Sequence, residues 1–432
     1  MALEITTFNI IIASFGTWAT GFALFSHILK DRYYLSEALL SFLAGAFYVL
    51  VLHLLGLQDY VQFAENASSV SLDFSRIVLG VQLVLAGVQL PAGYLRTEIK
   101  SLGVLLGPGM ASMWTCSSLS IWWLVPNIKV LYAMAIAACV TPTDPVLSDC
   151  IVKVAESGAN DGLGYPFLFF ALYIIQYTGG DGSVDAGGGL WKAAGQFLGE
   201  TCGFVVLLSI IYGWCVGTAA RRLLRWAKTN NLIDRESFLV FAILMAMLIS
   251  GTCGMVGSDD VLACFVAGNA LTDDDWFRLE TLEDSVQPTV DMVMNMAIFM
   301  WLGAACPWAK FWHNDVISFP GLMALACLVL LVRRLPIILS MHKHIRQIEN
   351  VSQAAFMGYF GPIGVSAIFY LYVGVNFLRT ELSGDDLRPE AEQLEEAMTV
   401  VVWFLVTCSV VNNSWFDGTT AELLGAAVDE TQ

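Results

Sequence analysis

Three stretches of this chain carry polar groups whose types and spacing can do chemistry. In the first, Thr141-Pro142-Thr143-Asp144-Pro145 interrupts an apolar run. Each proline removes a backbone donor and clashes with the preceding turn, so helical hydrogen bonding must break here, freeing carbonyls such as those of Val140 and Thr141. One proline would give a kink. Two flanking a Thr-Asp pair point to an unwound crossover rich in oxygen ligands. In the second stretch, Glu156-Ser157-Gly158-Ala159-Asn160-Asp161-Gly162 sets Glu156 and Asn160 one helical turn apart, with Asp161 on the adjoining flank and small residues that admit close packing. A carboxylate placed so can hold a proton and a small cation by turns. Oxygens from Asp161, Asp144 and Thr143, together with freed carbonyls, suit a hard monovalent ion such as sodium. In the third, Tyr359-Phe360-Gly361-Pro362-Ile363-Gly364 breaks another apolar run.

Other groups are less committed. Ser258-Asp259-Asp260 reads either as a helix cap or as part of an ion path. Arg333 and Arg334 stand at the end of an apolar run, where arginines usually anchor a helix on the positive inner side, but one of them could reach Glu156 and hold it charged. Asp291 and Asn295 share a helical face at i, i+4. The five histidines lie at the ends of apolar runs or in loops, which argues against a histidine-built metal site.

The elements that position these groups follow from composition. Of 432 residues, 57% are hydrophobic and only 14% charged, where soluble domains carry about a quarter charged. Lipid must solvate most of this surface. The net charge of −17 argues against nucleic acid, whose phosphates nothing here would neutralise. None of the ten cysteines forms a Cys-x-x-Cys pair, and nearly all sit in apolar runs, so they read as buried membrane thiols. The first residues lack the basic region of a cleaved signal peptide, so the first apolar stretch is expected to stay as a helix.

Runs long enough to cross about 30 Å of hydrocarbon number thirteen: 8–29, 36–57, 71–91, 102–125, 129–151, 155–177, 197–218, 236–252, 256–271, 289–306, 316–333, 353–376 and 397–413. Their length and continuity exclude a barrel, leaving an all-α polytopic membrane protein. With the amino terminus outside, fifteen of the twenty-one basic residues fall on the inner side, and the carboxyl terminus is cytoplasmic. Arg76 is then counted among the outer residues. The outer connections are acidic or flexible, around Asp59 and Glu65, from Gly179 to Gly189, and from Glu381 to Glu396. The chain reads as one transmembrane domain over 1–432, embedded over about 8–413, with no soluble tail domain. The two broken helices lie seven spans apart. An odd offset makes them cross in opposite senses, as in the inverted repeats of secondary transporters with a midplane site.

At these residues the chain resembles the fungal plasma-membrane alkali-cation/proton antiporters of the monovalent cation:proton antiporter superfamily. The likeness is nearly full length. It runs through Arg76-Ile77-Val78-Leu79, Gln89-Leu90-Pro91, Leu106-Gly107-Pro108, the stretches around Asp144 and Asp161, Gly257-Ser258-Asp259-Asp260, Asp275-Trp276-Phe277 and Gly361-Pro362-Ile363-Gly364-Val365. The resemblance implies a sodium/proton antiporter fold of thirteen helices with crossed unwound segments, usually a homodimer, with a rigid dimerisation domain and a moving six-helix core. It implies exchange of sodium, or of lithium or potassium, for protons by alternating access, in salt tolerance and pH and cation homeostasis, with no cofactor. Asn160 and Asp161 are then the site pair, with Asp161 binding proton and cation in turn, and Thr143 and Asp144 belong to the crossed helices. Ser157 and Thr141, Glu156 with an arginine, and the Asp259–Asp260 pair support them, and an Asn-Asp pair goes with electroneutral exchange.

The chain departs from that pattern in places. Gln89-Leu90-Pro91 stands where relatives have Glu-Leu-Pro, and the end of the last span lacks the expected His-Gly and Pro ending. Only sixteen residues separate Asp144 from Asp161, whereas two half-helices need about ten residues apiece. Either the hairpin is shortened, with Asp161 nearer the cytoplasm, or a segment is missing. A transport-inactive or truncated relative acting as sensor or scaffold is therefore the alternative reading. An intramembrane aspartyl protease would need Gly-x-Gly-Asp, and Thr178-Gly179-Gly180-Asp181 lacks the first glycine.

Overall fold

The computed structural model describes residues 7–29, 36–56, 68–144, 151–178, 189–282, 284–345, 350–359, 361–382 and 388–429. The outer acidic residues Asp59, Glu65, Asp181 and Asp185, together with Pro145 and Phe360, lie outside the described residues. Each of the thirteen expected stretches contains helix. We label them α1 (Thr7–His27), α2 (Glu37–Leu54), α3 (Ser68–Gln89), α4 (99–124), α5 (Val130–Val140), α6 (Ile151–Thr178) and α7 (Gly189–Thr229). There follow α8 (Arg235–Val256), α9 (Asp260–Leu271), α10 (Val286–Ala305) and α11 (Phe319–Met341, bent at Arg333 and Arg334). The chain closes with α12 (Val351–Tyr359), α13 (Val365–Glu381) and α14 (Arg388–Asp429). Among the described residues, eight helices are long and apolar enough to cross a membrane. The rest are shorter, interrupted or more polar.

The outer faces of these helices are apolar. Leu24, Trp123 and Met255 are 74%, 75% and 88% exposed, a surface that only lipid or another apolar body can cover. The chain is a multi-pass membrane protein. The nine described cysteines are free thiols.

Small residues set the closest helix crossings, since without a hydrophobic drive between helices in lipid the backbones must approach to gain dispersion contact. α9 lies between α3 and α7. A Cβ on Gly268 would meet the backbone of Val84, one on Gly87 would stand 2.7 Å from Asn269 N, and Gly213 and Gly217 of α7 face the backbones of Ala263 and Ala267. α6 packs on the other flank of α9, where Gly158 faces the Phe265 ring and Gly162 the side chain and Cα of Leu262. Gly45 and Gly303 join α2 to α10 in the same way.

Arg76, counted on the outer side, lies two turns inside α3, and its Nε is 2.8 Å from Asp260 Oδ2 at the start of α9. The basic residues at the ends of α7 and α8 pair with the acidic connector between α9 and α10: Arg221 with Asp273 at 3.3 Å, Arg225 with Asp274 at 2.7 Å, Lys228 with Glu280 at 2.7 Å. In that connector the Arg278 guanidinium, hydrogen-bonded to Asp275, holds its carboxyl below the usual carboxylate range.

Gly268→Leu should overpack the α3–α9 crossing and cost about 1–3 kcal/mol, seen as a lowered melting temperature of the purified protein by fluorescence-detected size exclusion. An unchanged melting temperature would refute this account of the crossing.

Candidate ion site

Both helix breaks fall where the prolines and glycines put them. α5 stops at Val140 and residues 141–144 run unwound; α12 stops at Tyr359, and 361–364 run irregularly into α13. The two irregular segments meet. Asp144 N–H donates to Pro362 O at 3.0 Å, and Val365 N–H donates to Asp144 Oδ2 at 3.1 Å. The carboxylate thus sits on the first turn of α13, where unpaired N–H groups and the helix dipole favour negative charge. A Cβ on Gly364 would run into that carboxylate, so the approach depends on glycine. On the other side, buried Arg333 donates to Val140 O and to Gly361 O.

This overturns one expectation. The Val140 carbonyl is not free for an ion, because a guanidinium has taken it. Thr141 Oγ1 donates back to Ala137 O at 2.7 Å, so its hydroxyl closes its own helix and does not face the crossing.

α6 brings the second stretch against the crossing, with Thr143 as the meeting point. Thr143 Oγ1 is 3.2 Å from Ser157 Oγ and accepts from Asn160 Nδ2 at 3.4 Å and from Arg334 Nη1 at 3.3 Å. Arg334 Nη2 reaches Glu156 Oε2 at 2.7 Å, with side chains 3% and 0% exposed, and its Nε donates to Met357 O at 3.1 Å. Of the two arginines it is Arg334 that answers Glu156, while Arg333 serves the backbone.

Asp161 is fully buried, and its backbone carbonyl accepts from the Tyr370 hydroxyl. Among the described residues, neither carboxylate oxygen has a hydrogen-bond partner of ordinary distance and angle, nor do Asn160 Oδ1 or the Ser366 hydroxyl. The Ser366 hydroxyl is the side chain placed to donate to the carboxylate, and Asp144 is its neighbouring charge. A bare carboxylate out of water costs several kcal/mol, so this group must carry a proton or meet a cation, and the oxygens to help coordinate one are adjacent.

The short connector does not keep the two stretches apart. α6 starts at Ile151, ten residues before Asp161 and so about 15 Å from it, while only residues 145–150 link it to Asp144. Residues 145–150 lie outside the described residues, and Thr143 touches Ser157 and Asn160.

Asp259 and Asp260 are placed elsewhere. Asp259 Oδ1 caps α9, accepting from Val261 and Leu262 N–H at 3.0 and 3.1 Å, and Asp260 pairs with Arg76. Sequence reasoning missed Ser366, Tyr370 and the role of Arg76. An arginine inside an apolar run calls for a buried partner, a signal that was present for Arg76; the other two carry none.

The family model for the sodium/hydrogen exchanger transmembrane region matches residues 11–421. The chain belongs to that family. Among relatives, it is 33% identical over 400 residues to Na(+)/H(+) antiporter 2 of Zygosaccharomyces rouxii, covering 89% of this chain and 48% of that protein. It is 32% identical over 428 residues to a probable Na(+)/H(+) antiporter of Schizosaccharomyces pombe, covering 94% and 53%. A second Schizosaccharomyces pombe Na(+)/H(+) antiporter is 27% identical over 442 residues, covering 98% and 91%. The exchanger chain described here thus spans about half the length of the first two. Its fold is similar to that of the sodium proton antiporter MjNhaP1 from Methanocaldococcus jannaschii, with a TM-score of 0.65 at 15% identity, covering 96% of this exchanger and 98% of that chain.

Arg334→Met would strand Glu156 as a lone buried carboxylate and should cost about 3–5 kcal/mol. Adding Glu156→Gln should restore most of the loss. Melting temperatures of the purified variants check this, and a double variant no more stable than the single one would remove the ion pair from the argument.

Proposed function

We propose that this chain exchanges sodium, with lithium or potassium as alternatives, for protons across the plasma membrane by alternating access, serving salt tolerance and pH and cation homeostasis. The observation that carries the reading is the fully buried Asp161 carboxylate, both oxygens unpartnered, beside Asn160 Oδ1, Ser366 and the crossing that holds Thr143 and Asp144. The names of the fungal relatives support it.

The mechanism follows from competition for one group. A cation displaces the proton from Asp161 on one face, the site turns to the other, and a proton displaces the cation there. Glu156 is held by Arg334 and Asp144 by the first turn of α13, so both are engaged in structural contacts while Asp161 changes its occupant. An Asn-Asp pair goes with electroneutral exchange in the antiporters this chain resembles, and Asn160 with Asp161 is that pair here. Sodium would be held by Asp161, with Asp144 and Thr143 close by. We further propose one exchanger domain over 1–432, an outside amino terminus, a cytoplasmic carboxyl terminus and a homodimer.

In proteoliposomes of the purified chain, an imposed pH gradient should be dissipated by added sodium, lithium or potassium, and Asp161→Asn should abolish that flux while still inserting and folding. Cation-driven flux retained in the variant would defeat the assignment. Absence of flux from well-folded wild-type protein would favour the transport-inactive relative instead.

A further inference from the structure

A second buried polar cluster lies between α3 and α10, and the exchange mechanism does not use it. Gln82 Nε2 donates to Asn295 Oδ1 at 2.7 Å and to Asp291 Oδ1 at 3.3 Å, while Asn295 Nδ2 donates to Asp291 Oδ2 at 3.3 Å. Gln82 and Asn295 are each 4% exposed. Despite these bonds Gln82 Oε1 has no partner among the described residues, and one turn before Asp291 the buried Gln287 Nε2 has none there either. A purely structural clasp would leave neither atom orphaned.

We propose that Gln82, Asp291 and Asn295 form a second binding site for a hard monovalent cation, separate from Asp161. Two oxygens from different residues already converge on a single nitrogen, that of the Gln82 amide. A half-turn of that amide brings its unpartnered oxygen beside them, giving three oxygens around one point. One carboxylate with two neutral carbonyl oxygens matches a single positive charge and hard-donor chemistry. The Glu37 carboxylate at the start of α2 adds negative potential at Asp291.

The site has a way in. A cavity of about 340 Å³ is lined by Gln89 at the end of α3, Val154 near the start of α6, Asp284 just before α10 and Gln287 in its first turn. From it Gln287, Asp291 and Asn295 follow at spacings of four, one face of α10. Gln82 and Asp161 each lie seven residues from Gln89 and Val154, about 10 Å along their helices, and Asp291 lies four residues, about 6 Å, beyond Gln287. An ion entering this cavity meets two destinations, one on α6 and one on α10.

The test is radioactive sodium binding to the purified full chain in detergent, counted per chain. Two sodium ions are expected for wild type, one for Asp161→Asn, one for Asp291→Asn and none for the double variant. Undiminished binding by Asp291→Asn, or no binding by Asp161→Asn, overturns the second site; the latter leaves the exchange reading intact. Undiminished binding by Asp161→Asn, with half lost in Asp291→Asn, counts against Asp161 while upholding this site. Should Asp291→Asn fail to fold, Asn295→Asp in the Asp161→Asn background carries the decision. Its added carboxylate should tighten sodium binding by about tenfold, and unchanged affinity overturns the proposal.

Discussion

Arg333 holds the carbonyls of Val140 and Gly361, which continuous helices would have used themselves, and the crossing of the two broken segments rests on that guanidinium. The breaks create complementary needs. Each leaves carbonyls without amide partners, and the new helix start at Val365 leaves amides without carbonyls. Arg333 answers the first and Asp144 the second. Without both, unsatisfied backbone groups would be shut away from water, which membrane interiors do not tolerate. The prolines that open the site therefore also require a buried cation and a buried anion close by.

Those requirements sort the charged residues of the core. Arg333, Asp144, Arg334 and Glu156 each have fixed partners, on backbone or on one another. Asp161 has none for its carboxylate among the described residues. A group with no structural duty can change its occupant without disturbing the fold. The ion pair of Arg76 with Asp260 has a different task, tying α3 to the start of α9.

Much of this was legible in the residues. Proline and glycine carry their backbone consequences covalently, so the breaks at 141–144 and 361–364 could be placed without coordinates, as could the one-turn relation of Glu156 and Asn160. Pairings across the chain were legible only as options. Glu156 called for an arginine, but whether Arg333 or Arg334 answered it depended on a bend in α11. The Val140 carbonyl was correctly read as freed and wrongly read as available, since local sequence does not reveal a donor nearly two hundred residues away. The spacing between Asp144 and Asp161 suggested a conflict because a full half-helix was assumed on both sides of the turn, yet Thr143 reaches Ser157 and Asn160.

The glycine contacts of α9 differ on its two sides. Against α3 and α7, glycine brings backbone onto backbone, and the Arg76–Asp260 bond pins the α3 crossing. Against α6, Gly158 meets the Phe265 ring alone, which can change rotamer, while Gly162 meets the Leu262 side chain and also its Cα. A backbone contact resists shear, whereas a ring can turn aside at little cost. The helix that carries Asp161 is thus gripped at one glycine and cushioned at the other, against a helix whose far side is bolted down.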